Sequence, residues 1–190
     1  MASPPKKGVR IGAKIGFLDE SGISERPTVH RTWAPRGHTP IIASPGHWRV
    51  RSVAGTIITT PRGDDPKLYL RIVSGSVCSQ EFIRFVKYLR RHVRGKLILL
   101  MDRLAVHRSK ASTAFLRSQR HWLIPEWFPP YAPELNPIEY FWSAGKRKDL
   151  ANFCPDTLQQ LDVSIIRSVK RIRRRPRILK GFLRASELFV

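Results

Sequence analysis

The run KLILLMD at residues 96–102 constrains the fold more than any other part of the chain. It is apolar without alternation, has the length of a strand, and follows Gly95. A strand with one wet face alternates apolar and polar residues, so this pattern belongs to a strand covered on both faces. Layers to cover it are present on either side. SQEFIRFVKYLRRHV, just before, places Phe82, Val86, Leu89 and Val93 on one helical face and Arg84, Lys87, Arg91 and Arg94 on another. Upstream, AKIGFLD at 13–19, TVHRTWA, VRSVAGTIITT and KLYLRIV read as strands separated by turn signals, with PRGDDP between the last two. Downstream come a short helix, a strand in HWLIPEWF, and a helix opening near Asn136. Two helical segments follow, from about Asp156 to Arg175 and from about Arg177 onward, broken at Pro176. The order predicts an α/β fold, a mixed central sheet of about five strands flanked by helices.

Charge says what such a domain meets. Lys and Arg number 35 against 14 Asp and Glu, a formal net charge of +21 and a pI of about 11.3. With 42% hydrophobic and 9% aromatic residues the chain is no disordered basic tail, so the charge lies on a folded surface and the partner is a polyanion. Nucleic acid fits, because each cation placed on a phosphate releases a counterion. Nine Lys or Arg and no acid lie between Arg167 and Arg184; Arg167, Lys170, Arg171, Arg173, Arg174, Arg175 and Arg177 are the candidate DNA contacts. The two cysteines, Cys78 and Cys154, cannot form a disulfide framework; they read as small core residues of a protein from a reducing compartment. LILLM is far short of the ~20 residues a membrane span needs, so a soluble, intracellular protein with no membrane partner is expected.

In so basic a chain the positions of the acids are informative. Asp19 and Glu20 end the first apolar strand, Asp102 ends the central one, and Glu139 lies in the first turn of the helix NPIEYFW. Structural readings exist for each. Asn136, Pro137 and Glu139 form a capping-box pattern worth about 1 kcal/mol; Asp102 marks a strand leaving the core, and DESG is a turn. Taken jointly they point elsewhere. If the first and central strands are neighbours, Asp19 and Asp102 stand side by side and repel unless a hard cation joins them. On that reading Asp102→Asn is no less stable than the parent without metal. Glu20 is the alternative first acid, on the opposite strand face. His107 is either near the site or bonded to backbone, Ser109 caps the next helix, and Tyr140, Phe141 and Trp142 pack the core.

GFLDESG, LLMDRLAVHRSK and PPYAPELNPIEYFWSAGKRK resemble, in order and spacing, the three catalytic blocks of DDE transposases of the mariner superfamily, in its bacterial insertion-sequence branch. The likeness runs from about Lys14 to Lys148. It implies a ribonuclease H-like fold and a catalytic, metal-binding triad of Asp19, Asp102 and Glu139, with 36 residues between the last two. It further implies two Mg²⁺ (or Mn²⁺) ions, cleavage at element ends, and joining of 3′-OH ends to target double-stranded DNA in the bacterial cytoplasm and nucleoid. Alternatives are a basic nucleic-acid-binding remnant and a ribonuclease H-like nuclease without strand transfer. Relatives usually carry Asn where this chain has Arg103, and an apolar residue where it has Gly145. They also carry helix-turn-helix modules ahead of the catalytic domain. The first strand here starts about 13 residues from Met1, so the expected division is a basic lead at 1–13, a catalytic domain at 14–155 and a basic helical tail at 156–190. An upstream reading frame would supply the helix-turn-helix, and a homodimer would hold two element ends.

Overall fold

The computed structural model describes residues 3–43, 46 and 48–189; Met1 and Ala2 of the expected lead fall outside them. The elements run α1 (Pro4–Ile11), β1 (Ala13–Ser24), β2 (Val50–Thr59), β3 (Lys67–Val73), α2 (Ser79–His92), β4 (Lys96–Met101), α3 (Ala105–Arg108), α4 (Lys110–Ser118), β5 (Leu123–Trp127), α5 (Pro137–Ala144), α6 (Leu158–Arg173) and α7 (Pro176–Ala185). One five-stranded sheet has the order β3-β2-β1-β4-β5. β1 pairs antiparallel with β2 and parallel with β4; β2–β3 is antiparallel and β4–β5 parallel. The sheet is mixed, as its sequence order predicts.

β4 meets the demand of its apolar run. Ile98 and Leu100 face a core shared with α5, α6 and α7, while Leu97, Leu99 and Met101 face a second core shared with α2 and α4. All five are buried, and each such side chain contributes about 1.5–3 kcal/mol of transfer free energy. The α2 face is as predicted, with Phe82, Val86, Leu89 and Val93 all buried and Phe85 added to them. The C-terminal helices form the opposite layer. Leu161, Ile165, Val169 and Ile172 of α6 and Leu179 and Leu183 of α7 lie in the core with β1, while the cations point outward.

Several expectations change. TVHRTWA is not a strand: residues 28–34 form none, and Thr28 makes only an isolated bridge to Ala151. Both edges of β1 and of β2 are already filled, so the segment finds no strand there to join, and its Val29 and Trp33 stand exposed. The basic lead contains α1, which begins with prolines in its first turn and ends at Gly12 in the left-handed region (φ 61°) that glycine adopts without penalty. Cys78 is exposed ahead of α2 and Cys154 half-buried, so neither belongs to the core. Gly145 ends α5 and opens a single π turn, Gly145–Asp149, where its missing side chain faces Ser168 of α6. Among the described residues no helix is long and apolar enough to cross a membrane.

Candidate active site

β1 does not end at Asp19 and DESG is not a turn: pairing with β2 carries the strand on to Ser24, so Asp19 lies within it. The parallel register that ends at Phe17 opposite Leu100 puts Asp19 and Asp102 two residues further along, Asp102 just beyond β4. Phe17 and Leu100 share one core, so the pleat directs Asp19 to that same face. It is the face on which α5 packs through Ile138, Phe141 and Trp142.

Asn136 sets the start of α5. Its side-chain oxygen accepts from Ile138 N (3.4 Å) and its Nδ2 donates to Leu18 O (3.4 Å), which ties the helix N-terminus to β1 one residue before Asp19. Asn136 N–H donates to Pro133 O at 2.9 Å, and this takes the donor that a reciprocal capping box would give to Glu139. The Glu139 side chain is therefore left for the site.

The charges at Asp19 do not balance. Asp19 is 9% exposed. Burial, then the charges of Glu139 and Glu20, push its carboxyl up from 3.8 to about 7, against the pull of the Trp142 N–H and the Glu20 backbone N–H. Trp142 Nε1 donates to Asp19 Oδ2 at 2.9 Å. Trp142 packs the core as expected, since the ring is buried, and its hydrogen bond to Asp19 adds a role that packing does not predict. A signal for it exists in the sequence: Trp142 stands three residues after Glu139, on the same side of the helix.

Asp102 is held differently. Its Oδ1 accepts from His107 Nδ1 at 2.8 Å and from Leu104 N at 3.1 Å, and its side chain is 42% exposed. Among the described residues nothing donates to its Oδ2. His107 is fully buried; its Nε2 donates to Glu20 Oε1 at 3.1 Å, so both ring nitrogens meet carboxylates and the ring is an imidazolium. Burial opposes that charge, but Asp102 and Glu20 raise the His107 pKa to about 10. Asp102, although burial pushes it upward, is drawn below its ordinary value by His107 and the Leu104 N–H. This corrects the expectation that Asp102 and Asp19 repel each other. The repulsion lies among Asp19, Glu139 and Glu20, and Asp102→Asn breaks an ion pair instead of relieving one. Glu20 lies on the opposite face, as periodicity predicts, and its Oε2 is buried without a hydrogen-bond partner. Ser109 caps α4 by accepting from Ser112 N.

The donor set of Asp19, Asp102 and Glu139 is all oxygen, the chemistry a hard divalent cation takes. As the side chains stand, no three His, Cys, Asp or Glu among the described residues are grouped closely enough to hold an ion.

The basic surface is divided. Arg171 forms a two-bond pair with Asp149 (2.9 and 2.8 Å), and Arg173 Nε donates to Leu68 O at 2.8 Å. These two of the expected DNA contacts serve the fold. Arg167, Lys170, Arg174 and Arg175 line, with Val163, Ile166 and the paired Arg171, a shallow depression of about 550 Å³ on the outer side of α6, and Arg177 is exposed. Lys146, in the π turn after α5, donates to Ser21 Oγ at 3.0 Å, one pleat beyond Asp19.

No protein of curated function matches the chain in sequence. Its fold is similar to the Mos1 strand transfer complex (TM-score 0.62, 15% identity, 92% of this chain and 51% of that one). It is also similar to the mariner Mos1 paired end complex with Mg (0.63, 15%, 96% and 57%) and to the catalytic domain of Mos1 mariner transposase (0.54, 14%, 96% and 87%). At such identities the likeness establishes the ribonuclease H-like fold. The chain spans about half the length of the transposase in the strand transfer complex. In sequence, residues 14–162 match the DDE superfamily endonuclease family from before Asp19 to beyond Glu139, and the chain belongs to that family.

Proposed function

We propose that this is the catalytic part of a transposase, which cuts DNA strands at the ends of an insertion element and joins the freed 3′-OH to target DNA, with Asp19, Asp102 and Glu139 as its metal ligands. One observation carries the reading: burial and the nearby Glu139 and Glu20 charges hold Asp19 up at about 7, so the site is short of positive charge where β4 ends and the β1–β4 pairing stops. Strand ends and helix starts are where open α/β sheets present reactive groups. The related Mos1 structures support it, being described as paired end complexes with Mg or Mn and as a strand transfer complex.

Two Mg²⁺ or Mn²⁺ ions held by the three carboxylates would supply an activated attacking oxygen and stabilise the leaving 3′-oxygen in an in-line displacement at phosphorus. The residues of the chain do the rest. Asp19 gives up its proton to serve as a ligand. Asn136 and Trp142 hold α5 and its Glu139 against β1. His107 fixes one oxygen of Asp102 and leaves Oδ2 to face outward. Arg167, Lys170, Arg174, Arg175 and Arg177 bind the DNA backbone, a task that carries no base sequence. A helix-turn-helix supplied by an upstream reading frame recognises the ends, and a homodimer brings two together.

The test is Mn²⁺-dependent nicking of supercoiled DNA by the chain and by Asp19→Asn, Asp102→Asn and Glu139→Gln, with DNA binding followed in parallel. Nicking lost in all three variants with binding retained supports the reading. Binding without nicking by the parent chain replaces it with a DNA-binding remnant. Nicking without joining of a 3′-OH end leaves a nuclease without strand transfer.

A further inference from the structure

The approach of Trp142 to Asp19 is built into two elements of the fold. Gly55 of β2 is the register partner of Asp19. A Cβ at Gly55 would stand 2.9 Å from Trp142 Cη2 and 2.8 Å from Ile138 Cδ1, so the indole lies against the strand in the space that a side chain would fill. The Gly55 φ is not positive, and close approach rather than backbone conformation accounts for the glycine. Through that gap the indole N–H reaches Asp19 Oδ2 at 2.9 Å, with the ring 4% exposed.

The two aspartates therefore have donors of different kinds. Asp102 is held by His107, a cation, which offsets its charge. An indole N–H is neutral and does not titrate; it fixes an oxygen in place without adding a countercharge. For a group meant to attract a divalent ion, orientation without neutralisation is the useful form of support, and outer donors of this kind tune affinity.

We infer that Trp142 is a positioning residue for the cation site: its N–H sets the orientation of the Asp19 carboxylate, and Gly55 is the cleft that admits it. The inference rests on Asp19 being a metal ligand. Replacing the Trp142 indole with benzothiophene, by incorporating benzothienylalanine, swaps N–H for sulfur at nearly constant shape. The Mn²⁺ concentration giving half-maximal thermal stabilisation should rise roughly tenfold, with the metal-free melting temperature within about 5 °C of the parent. Trp142→Phe should move the Mn²⁺ midpoint in the same direction. In the parent chain the Trp142 indole N–H resonance should shift on adding Mg²⁺ more than those of the other tryptophans. A Mn²⁺ midpoint unchanged in the benzothienyl protein overturns the inference. Asp19→Asn separates the two levels: if it abolishes stabilisation by Mn²⁺ while the benzothienyl protein behaves as the parent, only the role of Trp142 fails. If Asp19→Asn keeps the stabilisation, the metal assignment itself fails.

Discussion

Asp19 and Asp102 lie just past the point where the parallel β1–β4 pairing stops, Asp19 within β1 and Asp102 beyond the end of β4, yet Asp19 sits buried beside two further acids with an indole and a backbone N–H to offset them, whereas Asp102 is partly exposed and paired with an imidazolium. The first half of the site is short of positive charge, and the second carries its own. Residues that look equivalent in sequence, each an aspartate closing an apolar strand, thus differ in what they need from solution. On the proposed reading the demand for a divalent ion comes from Asp19 and Glu139, and Asp102 completes the set.

The largest test removes the distinction. With Mn²⁺ present, Asp19→Asn and Asp102→Asn should each lower DNA nicking at least about a thousandfold, since both carboxylates act on one reaction. A loss confined to one of them breaks the pairing. Without metal the two should part. Urea unfolding at pH 8 should show Asp19→Asn more stable than the parent by about 2–4 kcal/mol, the scale of the shift from 3.8 to about 7. The folded chain binds the Asp19 proton up to about pH 7 and the unfolded chain only to about 3.8, so this contribution to stability is full below 3.8 and lost as pH rises to 7. Asp19→Asn should flatten that slope. His107 gives a second window. Its contribution is full below 6.5 and lost as pH rises through about 10, and it should survive in Asp19→Asn and vanish in His107→Gln.

Gly55→Ala should cost about 1–3 kcal/mol in the same unfolding assay, because the methyl meets Trp142 and Ile138 inside normal contact. An unchanged stability would mean that the indole has room to withdraw. The smallest effect belongs to Asp102→Asn without metal, a loss of about 1 kcal/mol, discounted because the side chain is 42% exposed. A gain of stability there would restore the simple picture of two repelling aspartates.

What the sequence makes legible follows physical period. The two-faced β4, the α2 stripe, Asp102 at a strand end and Glu139 at a helix start all come from local pattern, whereas the end read for the first strand at Asp19 does not hold, because pairing with β2 extends β1 to Ser24. The partners of these acids do not. His107 reaches Asp102 through a turn and Glu20 across 87 residues, and no residue-type preference encodes that pairing. Asn136 and Glu139 predict a capping box, of which the Asn136 cap forms and the reciprocal Glu139 bond does not, because Pro133 O takes the needed N–H. TVHRTWA has strand composition, but its chain neighbours β1 and β2 already have both edges paired, which only the assembled sheet decides.

The separation of 123 residues between Asp19 and Trp142 also has a meaning in time. A ribosome makes β1 early and α5 late, and long-range contacts of this kind form only once most of the chain is available. A partial chain ending before Pro137 holds both aspartates but neither Glu139 nor the indole donor. A chain stopped before Leu158 also lacks the α6 and α7 layer that covers the same face of the sheet. Synthesis thus acts as a delay, and a copy cut short before Pro137 is left without the complete set of acids that the proposed reaction needs.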